Sequence, residues 1–238
     1  MSAGNEREAR HRRVKVFKTA RGTDVRAGRR DSRSRPGAQY AGTRTAGLMI
    51  DPIEKFRELF EKASRTCVEP DAMVLSTVDA DGQPSGRYVL LKAFDRRGFV
   101  FYTNLQSRKA RALAANPHAA LCLYWAPLEK QVRIEGTAEP VSDTEADAYF
   151  ATRPRPFQIG AWASKQSAPL DHRTSLQERV AAASRRFEDA AVPRPPFWSG
   201  FRVVPHAIEF WTRDPDRLHE RERYDRDGDG WVRTLLFP

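Results

Sequence analysis

The sequence predicts an α+β domain built on a mainly antiparallel sheet or barrel of six or seven strands, with helices inserted between them. Three observations carry this reading. β-rich runs follow one another from residue 72 onward, separated by turn clusters such as DADGQP (79–84) and DRRG (95–98). Segments with helical period and recognisable caps interrupt those runs. At 238 residues, with 40% hydrophobic and 10% aromatic content, the chain has enough apolar surface for one substantial core.

The first 48 residues stand apart. They carry 13 Arg and Lys against four acids and show no apolar period of 2.0 or 3.6, so a disordered basic tail is expected, with the folded domain spanning residues 49–238. That tail holds nearly all of the formal charge of +10, because residues 49–238 contain 28 basic and 27 acidic groups. The electrostatic footprint of a nucleic-acid-binding fold is therefore missing from the part that can fold, and no specific nucleic-acid partner is expected.

Order begins at Asp51, an N-cap followed by Pro52, with Ile53, Phe56, Leu59, Phe60 and Ala63 spaced to bury one helix face. Strands are expected over 72–78, 86–94 and 99–103, a helix capped by Ser107 through Asn116, and strands over 119–125 and 131–141. Ser142-Asp143-Thr144-Glu145 reads as a capping box opening a short helix stopped by Pro154. A longer helix is expected over 172–190, then the strand FRVVPHAIEFW (201–211) and a last hairpin around Asp227-Gly228-Asp229-Gly230. The acidic spacing of that hairpin imitates a calcium loop, but its twelfth position is Leu236 and strands flank it, so it reads as a turn.

Several function classes lose their main signal. No apolar run approaches the roughly 20 residues that span a bilayer, so a soluble, cytoplasmic protein without a membrane partner is expected. Cys67 and Cys122 lack CxxC spacing and are expected as buried free thiols, and the five histidines are scattered, which leaves no metal site. GxGxxG, Walker and GxSxG motifs are all missing.

Three groups of cations do not fit a purely structural reading. Arg108 and Lys109 open a helix where the dipole already points positive charge outward, which is unfavourable unless an anion sits there; the alternative is a pair of solvated cations. In RYVLLK (87–92), Arg87 shares a strand face with Val89 and Leu91, and Lys92 shares the other with Tyr88 and Leu90, so each face ends in one cation. Anionic ligands on both sides or simple snorkelling would each account for this. Tyr149 and Arg153, four residues apart, place a phenol beside a guanidinium, which suits a phosphate as well as it suits plain packing.

Taken in order, RYVLLK (87–92), FYTN (101–104), SRKA (107–110), EKQVRIEG (129–136), YFATRPR (149–155), QIGAWASKQS (158–167), FWSGFRV (197–203), IEFW (208–211) and RLHER (217–221) resemble the pyridoxamine/pyridoxine 5'-phosphate oxidase family. The resemblance covers nearly everything from residue 51 to the end. It implies an FMN-binding split β-barrel homodimer with peripheral helices and FMN at the subunit interface. It further implies that FMN is held by the strand Arg87, Tyr88, Val89, Leu90, Leu91 and Lys92, by Tyr102 and Thr103, by Arg108 and Lys109, and by Gln131. Gln166, Ser167, Trp211 and Arg221 are implied to complete that site from the other subunit. Lys92, Tyr149 and Arg153 are implied to hold the phosphate of a small phosphorylated pyridine, with Arg217 and His219 as catalytic neighbours of its ring. The implied reaction converts pyridoxamine or pyridoxine 5'-phosphate to pyridoxal 5'-phosphate, with dioxygen as acceptor and hydrogen peroxide as product.

The chain departs from the family pattern in three places. Phe157 stands where the family usually has a small or hydroxylated residue near the substrate phosphate, Tyr88 replaces a smaller aliphatic residue, and the family's N-terminal RxxY segment is not recognisable. Two other functions compete: a sister flavin oxidase of a phenazine-type pathway acting on a reduced aromatic, and a non-catalytic flavin-binding module. Retention of Lys92, Tyr149, Arg153, Arg217 and His219 favours the phosphorylated pyridine, and Phe157 favours the phenazine-type substrate.

Overall fold

The computed structural model describes residues 51–238; the expectation for the basic tail lies outside them. The first helix, α1 (Pro52–Thr66), starts as its sequence dictates: Asp51 caps it by accepting from the Ile53 amide at 2.9 Å, and Pro52 occupies the first turn. Its buried stripe of Ile53, Phe56, Leu59 and Ala63 drives Phe56 edge-on against Phe94 and Phe99, at 4.8 and 4.9 Å between ring centres.

Among the described residues nine antiparallel strands follow: β1 (Ala72–Val78), β2 (Pro84–Leu90), β3 (Ala93–Asp95), β4 (Gly98–Asn104), β5 (His118–Trp125), β6 (Lys130–Pro140), β7 (Trp198–Thr212), β8 (Glu220–Asp227) and β9 (Gly230–Leu236). Seven of them form the path β2-β1-β5-β6-β7-β4-β3, and the β8–β9 hairpin extends from β7. The two ends of the path, β2 and β3, are joined by only Leu91 and Lys92. Two residues reach only a few ångströms, so the path must curl until its ends meet, which makes a split barrel. Curling is helped by a register shift between Glu135 and Gly136. Gly136 is required there, because a Cβ would lie 2.2 Å from the Val204 carbonyl oxygen.

β7 is the long shared strand. Its first half pairs with β4 and its second with β8, while β6 lies along the other side. The helices α2 (Arg108–Ala115), α3 (Asp143–Thr152), α4 (Arg155–Ala163) and α5 (Arg173–Arg186) sit between strands. Among the described residues no helix is long and apolar enough to cross a membrane.

Five expectations are corrected. The run 86–94 is two strands, since the chain leaves β2 after Leu90 and re-enters the sheet at Ala93. Pro154 ends α3 but immediately starts α4, a helix the sequence reading missed, with Pro156 in its first turn and Ile159 and Ala163 buried. α5 stops at Arg186 rather than 190 and buries none of its residues fully. Cys67 and Cys122 are free thiols but only half-buried. The Ser142 cap is present, accepting from the Glu145 amide at 3.2 Å, whereas the Glu145 carboxylate turns away from the cap to pair with Arg202 at 2.8 Å.

Candidate functional site

Alternation along β2 separates the predicted residues as the sequence requires. Arg87, Val89 and Leu91 turn inward, and Tyr88, Leu90 and Lys92 turn outward. Leu91 is buried in the core and Val89 packs against it.

The first cluster forms around the start of α2. Ser107 caps the helix, accepting from the Ala110 amide at 3.4 Å, and Thr103 at the end of β4 stands beside it. The buried Lys109 ammonium donates to Thr103 Oγ1 at 3.3 Å, Ser107 Oγ at 3.4 Å and Gln166 Oε1 at 3.3 Å, all neutral acceptors. Arg87 donates to the Leu75 carbonyl, Thr77 Oγ1 and Ser85 Oγ at 3.0, 2.8 and 2.6 Å, again without a carboxylate. Arg108 has one distant acid, Asp79, at 3.8 Å. Burial, then the charge of Arg87, holds the Lys109 pKa below its ordinary value; burial, then Arg108, does the same to Arg87. Three mutually repelling cations at a helix start, cradled by hydroxyls and an amide, form an arrangement whose repulsion an anion would relieve.

Gln166 and Ser167 belong to this cluster from the same chain. Thr103 Oγ1 donates to Gln166 Oε1 at 3.1 Å, and the Arg108 amide donates to Ser167 Oγ at 3.2 Å. Both therefore reach the cluster within one chain, where the resemblance implied that they complete the site from the other subunit. Ser167 holds its place at φ 72°, in the left-handed region.

The second cluster is a cavity of about 600 Å³ between the outer edge of β2, the end of β4, and α3 and α4. Lys92, Tyr102, Tyr149, Arg153, Phe157 and Trp198 are among its walls. The rings of Tyr102, Tyr149 and Trp198 lie nearly parallel, with Tyr102 stacked 4.0 Å from Tyr149 and 5.4 Å from Trp198. Burial pushes the Tyr102 phenol up to about 12, so it stays neutral across any working pH. Arg153 is not part of the α3 face that the four-residue spacing implied; it is the C-cap, in extended backbone. It still reaches the cavity, its guanidinium 4.8 Å above the Trp198 ring, and its Nη1 is buried without a hydrogen-bond partner. Burial lowers its pKa. A buried donor without an acceptor costs on the order of 1–3 kcal/mol, more for a charged group, which an incoming oxyanion would recover. Phe157, 60% exposed, forms an apolar lip of the same cavity.

The third cluster lies outside the cavity, on the outer face of the sheet. Gln131 on β6, Trp211 on β7 and Arg221 on β8 sit side by side in register. The Trp211 and His219 rings are 4.6 Å apart. His219 Nδ1 accepts from the Asp214 amide at 3.1 Å, which leaves Nε2 as the protonated, donating nitrogen of the neutral ring. Arg217 is exposed at φ 66° in the β7–β8 connection, and Arg221 is gripped by Glu209 through Nε at 2.8 Å and Nη2 at 3.1 Å. The same sheet face exposes Tyr88 by 76%, Tyr124 by 56% and Leu90 by 42%, an apolar surface unusual for a solvated sheet.

Residues 54–186 match the family model described as pyridoxamine 5'-phosphate oxidase, and residues 198–238 match its C-terminal dimerisation region. The chain belongs to the pyridoxamine 5'-phosphate oxidase family. Within that family it is 57% identical over 189 residues to a pyridoxine/pyridoxamine 5'-phosphate oxidase of Myxococcus xanthus (strain DK1622), covering 79% of this chain and 92% of the relative. A pyridoxine/pyridoxamine 5'-phosphate oxidase of Rubrobacter xylanophilus is 56% identical over 199 residues, covering 83% of this chain and 92% of the relative. Among solved structures, PhzG from Burkholderia lata, captured with tetrahydrophenazine-1-carboxylic acid, superposes with a TM-score of 0.75 at 37% identity, covering 79% of this chain and 93% of that one. A pyridoxamine 5'-phosphate oxidase-related, FMN-binding protein from Nostoc punctiforme shares the fold at a TM-score of 0.64 and 16% identity, covering 80% of this chain and all of that one.

Sequence reasoning did not single out Asp71, Trp198 or Glu209, which here contact Lys92, Tyr102 and Arg221. Glu209 left a signal, a lone carboxylate inside the apolar strand IEFW. Trp198 left only its place in FWSGFRV, and Asp71 left none, because its contact with Lys92 depends on which strands become neighbours.

Proposed function

We propose that this protein is an FMN-dependent oxidase that converts pyridoxamine and pyridoxine 5'-phosphate to pyridoxal 5'-phosphate. The observation that carries the proposal is the buried, unpartnered guanidinium nitrogen of Arg153 in the cavity wall, a donor kept for an oxyanion. The cluster at the start of α2 fits FMN: Arg87, Arg108, Lys109, Thr103, Gln166 and Ser167 offer charge and hydroxyls to a phosphate, with no carboxylate closer than Asp79. FMN, held there, would supply two-electron redox chemistry, with dioxygen as the final acceptor and hydrogen peroxide as its product.

The chain's own residues bind and orient. Arg153, Tyr149 and Lys92 anchor the substrate phosphate, and the aromatic wall of Tyr102, Tyr149 and Trp198 keeps water from one side of the cavity. Trp211, Arg217, His219 and Arg221 are not among the walls of the cavity, and we assign them to the site of the second subunit in a homodimer. Arg217 would set a cation against the substrate ring, and His219 Nε2–H a hydrogen-bond donor. The exposed aromatic sheet face and the matched dimerisation region support that assembly.

The test is oxygen uptake by the purified yellow protein. Turnover is expected with both phosphorylated vitamers and not with unphosphorylated pyridoxine. Phe157 favours a second reading, oxidation of a reduced phenazine-type aromatic that needs no phosphate cradle. Turnover confined to such a substrate would replace the first reading with the second.

A further inference from the structure

Two cations line the substrate cavity, and they are treated differently. Arg153 has a buried donor with no partner, whereas Lys92 Nζ lies 2.7 Å from Asp71 Oδ2. The Lys92–Asp71 pair is set by the backbone. Ala72, next to Asp71, is paired with Leu90 in the β1–β2 ladder, the Leu91 amide donates to the Asp71 carbonyl at 2.8 Å, and the Lys92 amide donates to the Val100 carbonyl at 2.8 Å. Both side chains are only about a quarter exposed, at 26% and 27%, so their charges act through less than bulk-water screening. A carboxylate fixed against one of two phosphate-directed cations serves no packing need that a neutral residue could not meet.

We propose that Asp71 is a counter-ion that competes with the substrate's phosphate for Lys92 and so limits how tightly phosphorylated ligands, the product included, are held. This rests on the reading of Lys92 as a phosphate ligand. With Asp71 in place, the cavity presents to a dianion, among the described residues, one cation with an unpartnered donor and one compensated cation. A phosphate entering beside Lys92 must displace or share the ammonium and meets the carboxylate's repulsion. The product keeps the same phosphate as the substrate, so what weakens entry also speeds exit. Asp71 therefore trades affinity for release in an enzyme whose two ligands carry the same handle.

The test titrates the FMN-loaded protein with pyridoxal 5'-phosphate and, in parallel, with unphosphorylated pyridoxal, reading the flavin absorbance change and the dissociation rate. Asp71→Asn should lower the dissociation constant for the phosphorylated ligand by about tenfold and slow its release, leaving pyridoxal unchanged, since one like-charge contact at partly buried range is removed. Asp71→Ser, which removes the charge with a smaller side chain, should shift in the same direction, and flavin content with thermal midpoint reports whether either variant is folded. Lys92→Met is the companion variant, expected to weaken the phosphorylated ligand alone. If Lys92→Met weakens it while both Asp71 variants leave affinity unchanged or lower it, the counter-ion is overturned and Asp71 merely orients Lys92. If Lys92→Met has no effect on the phosphorylated ligand, the phosphate-binding reading of Lys92 itself fails.

Discussion

Two regions of this molecule are rich in arginine, and they are built in opposite ways. On the outer face of the β6–β7–β8 sheet, Arg133 and Arg221 share the nearly buried Glu209, while Arg223 pairs with Glu135 and Asp225. Signs alternate across the strands, and the network satisfies itself. At the start of α2, Arg87, Arg108 and Lys109 crowd together against hydroxyls, carbonyls and an amide. Their pKa values record the contrast. Burial works against Arg223, yet its bonds to Asp225 and Glu135 carry it upward, while Lys109 and Arg87 are both lowered by burial and by neighbouring cations. On the outer sheet face each of these cations comes with a carboxylate, and at the start of α2 neutral acceptors leave most of the charge uncompensated.

The sharpest way to break that comparison is to remove the uncompensated cations. Replacing Arg108 and Lys109 together with Ala should weaken FMN binding at least a hundredfold, because two charge-assisted contacts vanish, while the flavin-free protein should melt no lower than before. Undiminished flavin retention would remove the helix-start site. The compensated region should answer with the opposite sign: Glu209→Gln leaves Arg133 and Arg221 with half a partner at a nearly buried position. A loss of about 2–4 kcal/mol is expected in denaturant unfolding of the flavin-free protein. An unchanged midpoint would mean that the outer network carries no stability.

Smaller effects separate the cavity from the third cluster. Arg153→Ala should raise the KM for the phosphorylated substrate roughly tenfold or more with flavin content intact, whereas Arg217→Ala should lower turnover with little change in flavin binding. Arg217→Ala that loses flavin would place that residue in the wrong cluster. The mildest test uses pH. Lys109 has a folded pKa below its ordinary 10.5, so in alkaline solution the unfolded chain binds more protons and the flavin-free protein gains stability from this residue as pH rises toward that value. Lys109→Met should therefore stabilise the flavin-free protein near neutrality, and that advantage should shrink as pH approaches 10.5. A pH-independent difference in thermal midpoint would show that burial of the ammonium carries no electrostatic cost.

Much of this was legible before the fold was known, because it is local. The Asp51 and Ser107 caps, the alternation of RYVLLK and the Asp227–Gly230 turn depend on residues a few positions apart, and each stands where the sequence puts it. Arg108 and Lys109 announced themselves by opposing a helix dipole, which is also a local conflict. Non-local facts were out of reach. That Gln166 closes on Lys109 depends on how α4 packs, and that Asp71 faces Lys92 depends on the ladder between β1 and β2. α4 itself was hidden because a proline that ends one helix was not read as the start of the next. The Tyr149–Arg153 pairing reached the right cavity through a wrong premise, since Arg153 leaves the helix before it gets there.

The long strand β7 has a consequence for motion. It is flanked along nearly its whole length, by β6 on one side and by β4 and then β8 on the other, and the handover falls at Val204–His206, where Pro205 has no amide to leave unpaired. Its amides should be among the slowest in the molecule to exchange with solvent, since opening it requires separating three neighbours. The edge strand β2, which carries Arg87 and ends beside Lys92, has only β1 to hold it in register over its length. Breathing of the barrel should therefore begin at the seam between β2 and β3, so that the ligand side of the molecule loosens on its own while the spine that carries Trp211 stays closed.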